Sequence, residues 1–210
     1  MELVNLEPST IPEPSTLTDY LKHFTLAEYH RLTELGFFAE DDRVELIQGQ
    51  ILTMAAKGKA HETCNRRLLR ELSKLLDDRA TLQNQSPITI PTDGEPEPDF
   101  AIVKNRSDDY LSSHPLPADV WLVVEIADSS LRYDRDIKLP VYAEAQILDY
   151  WIFNLLEYCL ECYSEPYERA QGAFGYRVRR IVLPNEAIQL PGFSDLSLDL
   201  IKVFPSKGSH

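Results

Sequence analysis

The chain has 210 residues, with 34 Asp and Glu against 21 Lys and Arg, a formal net charge of −13 and a pI near 4.8. That length suits one well-buried core with at most a small appendage, and ordinary apolar and charged fractions of 43% and 26% exclude a mainly disordered or fibrous chain. The acid excess excludes a protein that coats nucleic acid through a broad basic surface, but leaves room for local basic strips that touch phosphates.

Residues 1–16 are rich in Pro, Ser and Thr with little to bury, and read as a disordered tail ahead of a single domain over 17–204. Thr25 is the expected N-cap of a first helix, with Glu28 three residues on and Leu26, Tyr29, Leu32 and Leu35 at helical spacing until Gly36. Residues 43–56 alternate about a turn at Gln48-Gly49-Gln50, the pattern of a hairpin. Helical periodicity returns over 59–78, with Cys64, Leu68, Leu72 and Leu75 or Leu76 facing inward.

A strand is expected over 82–90, followed by a turn-rich link and a second strand over 98–103. The polar loop 105–119 is longer than most connections in a compact domain. Val120 to Ala127 is too apolar and β-branched for anything but a buried strand. A helical segment runs from there to Ala145, and Pro140 requires either that the helix proper start near Asp136 or that it kink. Runs at 150–154, 158–163 and 176–182 read as a closing antiparallel meander, and residues 205–210 as a second flexible tail. The fold class is therefore α/β, a central mixed sheet flanked by helices with extra antiparallel strands.

One residue in the buried strand does not belong there on packing grounds. Glu125 stands among Val123, Val124 and Ile126, and an ionised acid in that setting costs several kcal/mol or more unless a metal, a lysine or a raised pKa meets it. Asp99 heads the neighbouring run behind Pro98, Glu45 lies in the hairpin, and Lys138 and Tyr142 share a helix face four residues apart. Three carboxylates on neighbouring segments are what a hard cation needs, and such a cation can neutralise a phosphoryl oxygen and activate a water. A nearby lysine would orient that water or stabilise charge in the transition state.

The competing readings are structural. Asp99 suits a strand-entry turn, Glu45 an exposed strand position, Lys138 a helix surface or a structural pair with Glu125, Tyr142 packing, and His61 a half-buried histidine near the line of Cys64 and Leu68. Cys159 and Cys162 form a C-x-x-C, but in a strand they point to opposite faces and no second pair exists, which argues against zinc. The basic residues from Lys57 to Lys74, with Arg177, Arg179 and Arg180, read as solvated faces, with phosphate contact as the alternative. Three cysteines make no even disulfide framework, no secretory signal is apparent, and no apolar run nears the roughly 20 residues of a membrane helix. A cytoplasmic protein without a membrane partner is expected.

The order of these pieces resembles the PD-(D/E)XK nuclease superfamily. Most members carry the lysine two residues after the second acid, where this chain has Ala127, so Lys138 on the following helix would have to fill the vacancy. Arg43-Val-Glu45-Leu-Ile-Gln-Gly49, His61, Pro98-Asp99, Val124-Glu125-Ile-Ala-Asp-Ser-Ser130, Asp134, Lys138, Tyr142 and Tyr150-Trp151-Ile together resemble the bacterial Uma-type restriction-endonuclease family over roughly 25–200. The resemblance implies a restriction-endonuclease-like core and a Mg²⁺- or Mn²⁺-dependent endonuclease acting on DNA. Its metal ligands would be Asp99, Glu125 and Glu45, with Lys138, His61 and Tyr142 completing the catalytic set. A homodimer is expected, because cutting both strands of a duplex needs two sites. The rival functions are a nuclease fold kept as an inactive binding module and a hydrolase of small phosphoesters. No helix-turn-helix or zinc finger appears that could read bases.

Overall fold

The structure is a computed structural model that describes residues 21–39, 41–91 and 93–206; the tail expected over 1–16 lies outside the described residues, as do 207–210. Helix α1 (Leu26–Glu34) opens on a complete capping box between Thr25 and Glu28, satisfying two otherwise orphaned N–H groups. Strands β1 (Val44–Ile47) and β2 (Gln50–Thr53) pair antiparallel through a turn in which Gln48 and Gly49 take φ of 47° and 74°. The 18-residue helix α2 (Lys59–Leu76) follows, with Cys64, Leu68, Leu72 and Leu76 buried along its expected stripe.

The central sheet holds β3 (Thr81–Asn84), β4 (Phe100–Val103), β5 (Val120–Ala127), β6 (Asp149–Asn154), β7 (Cys159–Glu168) and β8 (Phe174–Val182) in sequence order. All neighbours are antiparallel except β5 and β6, which are parallel and so need a crossover. That crossover contains α3 (Leu131–Tyr133), a π turn (Asp134–Lys138) and α4 (Leu139–Glu144). Pro140 falls in the first turn of α4, where its missing N–H costs nothing. The widened turn before it ends with the Leu139 N–H bonded to the Asp134 carbonyl.

The two sheet faces have separate cores. One packs Phe100, Ile102, Leu122, Val124 and Phe153 against α2 and against a hairpin of β9 (Ala187–Leu190) and β10 (Phe193–Asp199). The other packs Val123, Ala127, Tyr150, Ile152, Tyr163 and Tyr176 against Leu139, Tyr142 and Ala143 of α4. β5 is covered on both sides, which explains its unbroken apolar run.

Two expected strands are shorter than their patterns suggest. The one expected over 82–90 ends at Asn84, because Gln85 turns to φ 52° and Pro87 has no N–H to continue a ladder. The one expected over 98–103 begins at Phe100, leaving Pro98 and Asp99 outside the strand. Among the described residues no helix is long and apolar enough to cross a membrane.

Candidate active site

The period-two alternation of β5 turns Glu125 to the α4 face with Val123 and Ala127, and leaves it 4% exposed. Lys138 Nζ lies 2.9 Å from Glu125 Oε1, and the Tyr142 hydroxyl donates to the same oxygen at 3.0 Å. The Asp99 N–H donates to Oε2 at 3.3 Å. Lys138 and Tyr142 therefore meet Glu125 from one side, as their four-residue spacing requires, and the π turn carries Lys138 to a position where it is 3% exposed.

Asp99 sits just before β4, at the point where that strand meets β5. Its Oδ2 accepts from the Ile126 N–H at 2.9 Å and lies 2.9 Å from His61 Nε2, while Lys57 Nζ stands 3.3 Å from Oδ1. His61 belongs to the first turn of α2, so the helix delivers it to the acid from its N-terminal end. Its other ring nitrogen, Nδ1, is buried without a hydrogen-bond partner.

Glu45 is 1% exposed rather than an open strand residue. The Tyr133 hydroxyl donates to its Oε1 at 3.0 Å, the Glu97 N–H donates to Oε2 at 3.0 Å, and Lys138 Nζ lies 3.2 Å from Oε2. Lys138 thus bridges Glu45 and Glu125, joining the β1–β2 hairpin to the central sheet.

All of these groups except Tyr142 line one cleft of about 300 Å³. Its walls carry six acids (Glu45, Glu97, Asp99, Glu125, Asp128, Asp134) against three permanent cations (Arg43, Lys57, Lys138). Burial pushes Glu125 well above the usual carboxylate range despite Lys138, and the charges of Asp134 and Asp99 add to the rise. Burial also raises Asp134, to about 6. For Asp99 burial acts the same way, but His61, Lys57 and the Ile126 N–H outweigh it and hold that carboxyl below its ordinary value. Burial works against a charged Lys138, and the acids around it raise it overall.

The donor set is one of hard carboxylate oxygens, and the lining is short of positive charge, so the residues fit an oxygen-preferring divalent ion. Glu45, Asp99 and Glu125 do not, as a set, bring one oxygen each within 4.8 Å of the others. Among the described residues, Glu157, Cys159 and Glu161 do. The oxygens of Glu161 are committed to Arg135, Arg179, Asn154 and Tyr163, which makes that trio part of an ionic network. Cys159 and Cys162 are free thiols, as is Cys64.

The six candidates Glu45, His61, Asp99, Glu125, Lys138 and Tyr142 therefore form one connected hydrogen-bonded group, of which Tyr142 alone lies outside the cleft lining. Lys57 corrects the expectation of a solvated basic face, since it points into the cleft at 13% exposure; Arg66, Arg70 and Lys74 do lie outside. Tyr133, Glu97 and Asp128 also line the site and had no signal of their own. Asp134 had one, standing four residues before Lys138 on the same turn.

No curated protein matches the chain. Among solved structures it is similar to one described as a "putative nuclease belonging to DUF820" from Anabaena variabilis ATCC 29413, with a TM-score of 0.64 and 16% identity over 86% of this chain and 97% of that one. At that identity the likeness establishes the fold, a mixed sheet whose nuclease-like arrangement matches the expected class. The family model Uma2, described as "Putative restriction endonuclease", matches residues 26–200, a span that takes in the hairpin acid, the Pro98-Asp99 step before β4, Glu125 and the lysine-bearing π turn, and the chain belongs to that family.

Proposed function

We propose that this protein is a metal-dependent endonuclease that hydrolyses phosphodiester bonds of DNA at the cleft between the β1–β2 hairpin, the start of α2 and the end of β5. The observation that carries the reading is the charge imbalance of the cleft, where buried Glu125 keeps a raised pKa although Lys138 is 2.9 Å away. A site built only for stability would have matched that acid; this one leaves charge for a cation to fill.

Asp99, Glu125 and Glu45 are the acids that would hold Mg²⁺ or Mn²⁺. Lys138 bridges Glu45 and Glu125, so Glu45 would join the set once Lys138 moved off it. The ion, when bound, supplies Lewis-acid stabilisation of the phosphoryl oxygens and a lowered pKa for an attacking water. Lys138 draws Glu125 and Glu45 together and presents an ammonium toward the reacting centre. Tyr142 fixes the Glu125 carboxylate, and His61 fixes Asp99 through its Nε2. The apolar floor around Val124 and Ile126 lowers the local dielectric, which strengthens every one of these charge interactions.

A homodimer would place two such sites on the two strands of a duplex. The free thiols suit a reducing cytoplasm. A hydrolase of small phosphodiesters is the second reading, favoured by the acidic lining, which resists a polyanion more than a single diester.

The test is cleavage of supercoiled plasmid and of a chromogenic diester by the purified protein with Mg²⁺, Mn²⁺ or EDTA, alongside Asp99→Ala. Metal-dependent nicking lost in the variant supports the nuclease; turnover of the chromogenic diester alone supports the second reading. Mn²⁺ binding without turnover of either returns the chain to a binding module.

A further inference from the structure

The cleft holds two lysines, and their surroundings differ. Lys138 is 3% exposed, bridges two carboxylates at 2.9 and 3.2 Å, and reaches the Glu97 carbonyl at 3.4 Å. Lys57 comes from the opposite wall, on the segment between β2 and α2, and is 13% exposed. Among the described residues its one ion pair is with Asp99, at 3.3 Å. Lys57 answers Oδ1 of Asp99, while His61 and the Ile126 N–H serve Oδ2.

Lys57 also adjoins an open helix end. Gly58, the N-cap of α2, supplies no side-chain cap, so the first turn of this 18-residue helix begins without a capping hydrogen bond. A Cβ at position 58 would lie 2.6 Å from Asp128 Oδ2, so a larger residue there would have to push the Asp128 carboxylate aside. In that first turn His61 lines the cleft, 6% exposed, with Nδ1 unpartnered. A buried polar atom without a partner, on the first turn of the uncapped helix that follows Lys57, leaves hydrogen-bonding capacity unmet in the cleft wall.

We propose that Lys57, backed by the N-terminus of α2, is the residue that grips the substrate phosphate, taking a non-bridging oxygen of the diester. The inference rests on the nuclease reading and deepens it. Once Asp99 is committed to a divalent cation, Lys57 loses its carboxylate partner and is left as the cation facing the cleft with no acid to neutralise. Cation binding and phosphate binding are thereby coupled through one side chain, while Asp128 opposes the anion from the far side of Gly58.

The experiment measures binding of a short fluorescein-labelled DNA duplex to the full chain in Ca²⁺ across a salt series, with Mn²⁺ affinity by calorimetry as a second readout. Lys57→Met weakens duplex binding by about tenfold, and lowers the slope of log affinity against log salt by about one, as loss of one phosphate contact requires. Mn²⁺ affinity stays the same or tightens, since a competitor for Asp99 is gone. Lys57→Arg retains duplex binding within about threefold because the charge remains, and Asp128→Asn strengthens it. Wild-type affinity and slope in Lys57→Met overturn the inference and leave the nuclease reading intact. A wild-type protein that binds no duplex in Ca²⁺ overturns both.

Discussion

Glu125 and Glu161 stand in one row of the central sheet, both facing Ile152 of the strand between them, and both are buried. Their fates are opposite. Glu161 receives Arg135, Arg179, Asn154 and the Tyr163 hydroxyl, and although burial acts to raise it, these partners bring its pKa below the ordinary value. Glu125 has one lysine, one tyrosine and one peptide N–H, with Asp99 and Asp134 nearby, and its pKa rises. The same π turn serves both, sending Arg135 to one acid and Lys138 to the other. A buried carboxylate with a full set of donors is architecture; the one left short of charge two strands away is where the proposed cation would sit.

The sharpest way to break this comparison is to remove an acid at each end. Asp99→Ala should lower metal-dependent cleavage by about 10³-fold or more and weaken Mn²⁺ binding in calorimetry, whereas Glu161→Gln should leave Mn²⁺ affinity near wild type. Equal loss in both would mean the two acids are not different in kind.

Stability should rank them the other way. Glu161→Ala strands Arg135 and the buried Asn154, and should cost about 3 kcal/mol in urea unfolding. Glu125→Gln should cost far less in metal-free protein and should stabilise it at alkaline pH. Glu125 is raised to about 8, so the folded state holds a proton that the unfolded chain has lost. The metal-free protein is favoured below the unfolded value of 4.5, and that advantage disappears as pH rises through the folded value. Divalent-ion affinity should climb over the same interval, because the ion displaces that proton, and the climb should be absent in Glu125→Gln.

The smallest expected effect concerns a third acid of the sheet. Asp149 is raised to about 6 by burial, with no charged partner contributing. Asp149→Asn should stabilise the fold by less than about 0.5 kcal/mol at neutral pH, with no gain below the unfolded value of 3.8. Thermal melts at the two pH values check the sign.

The elements whose evidence is local were legible before any coordinates. Thr25 and Glu28 announced α1, Gln48-Gly49 the hairpin, and the apolar stripe of α2 its inner face, since caps, turns and periodicity depend on neighbours in sequence. Glu125 was legible for a similar reason: a charge in an apolar strand is anomalous wherever the strand lies. The strand expected over 82–90 failed because β-propensity does not register that Gln85 turns away. The exposed reading of Glu45 and the solvated-face reading of Lys57 fail because what covers them comes from residues 97–138, far off in the chain.

The sequence alone therefore determined the fold class, the anomaly of a charge at Glu125 in a buried strand and the need for a counter-charge there, because those follow from burial cost and periodicity. Which cation answers which acid was decided only by tertiary structure. Strand register sets Glu125 beside Asp99, the π turn rotates Lys138 between Glu45 and Glu125, and the start of α2 brings Lys57 and His61 to Asp99. Partners separated by up to 93 residues, as Glu45 and Lys138 are, leave no periodic trace in either segment.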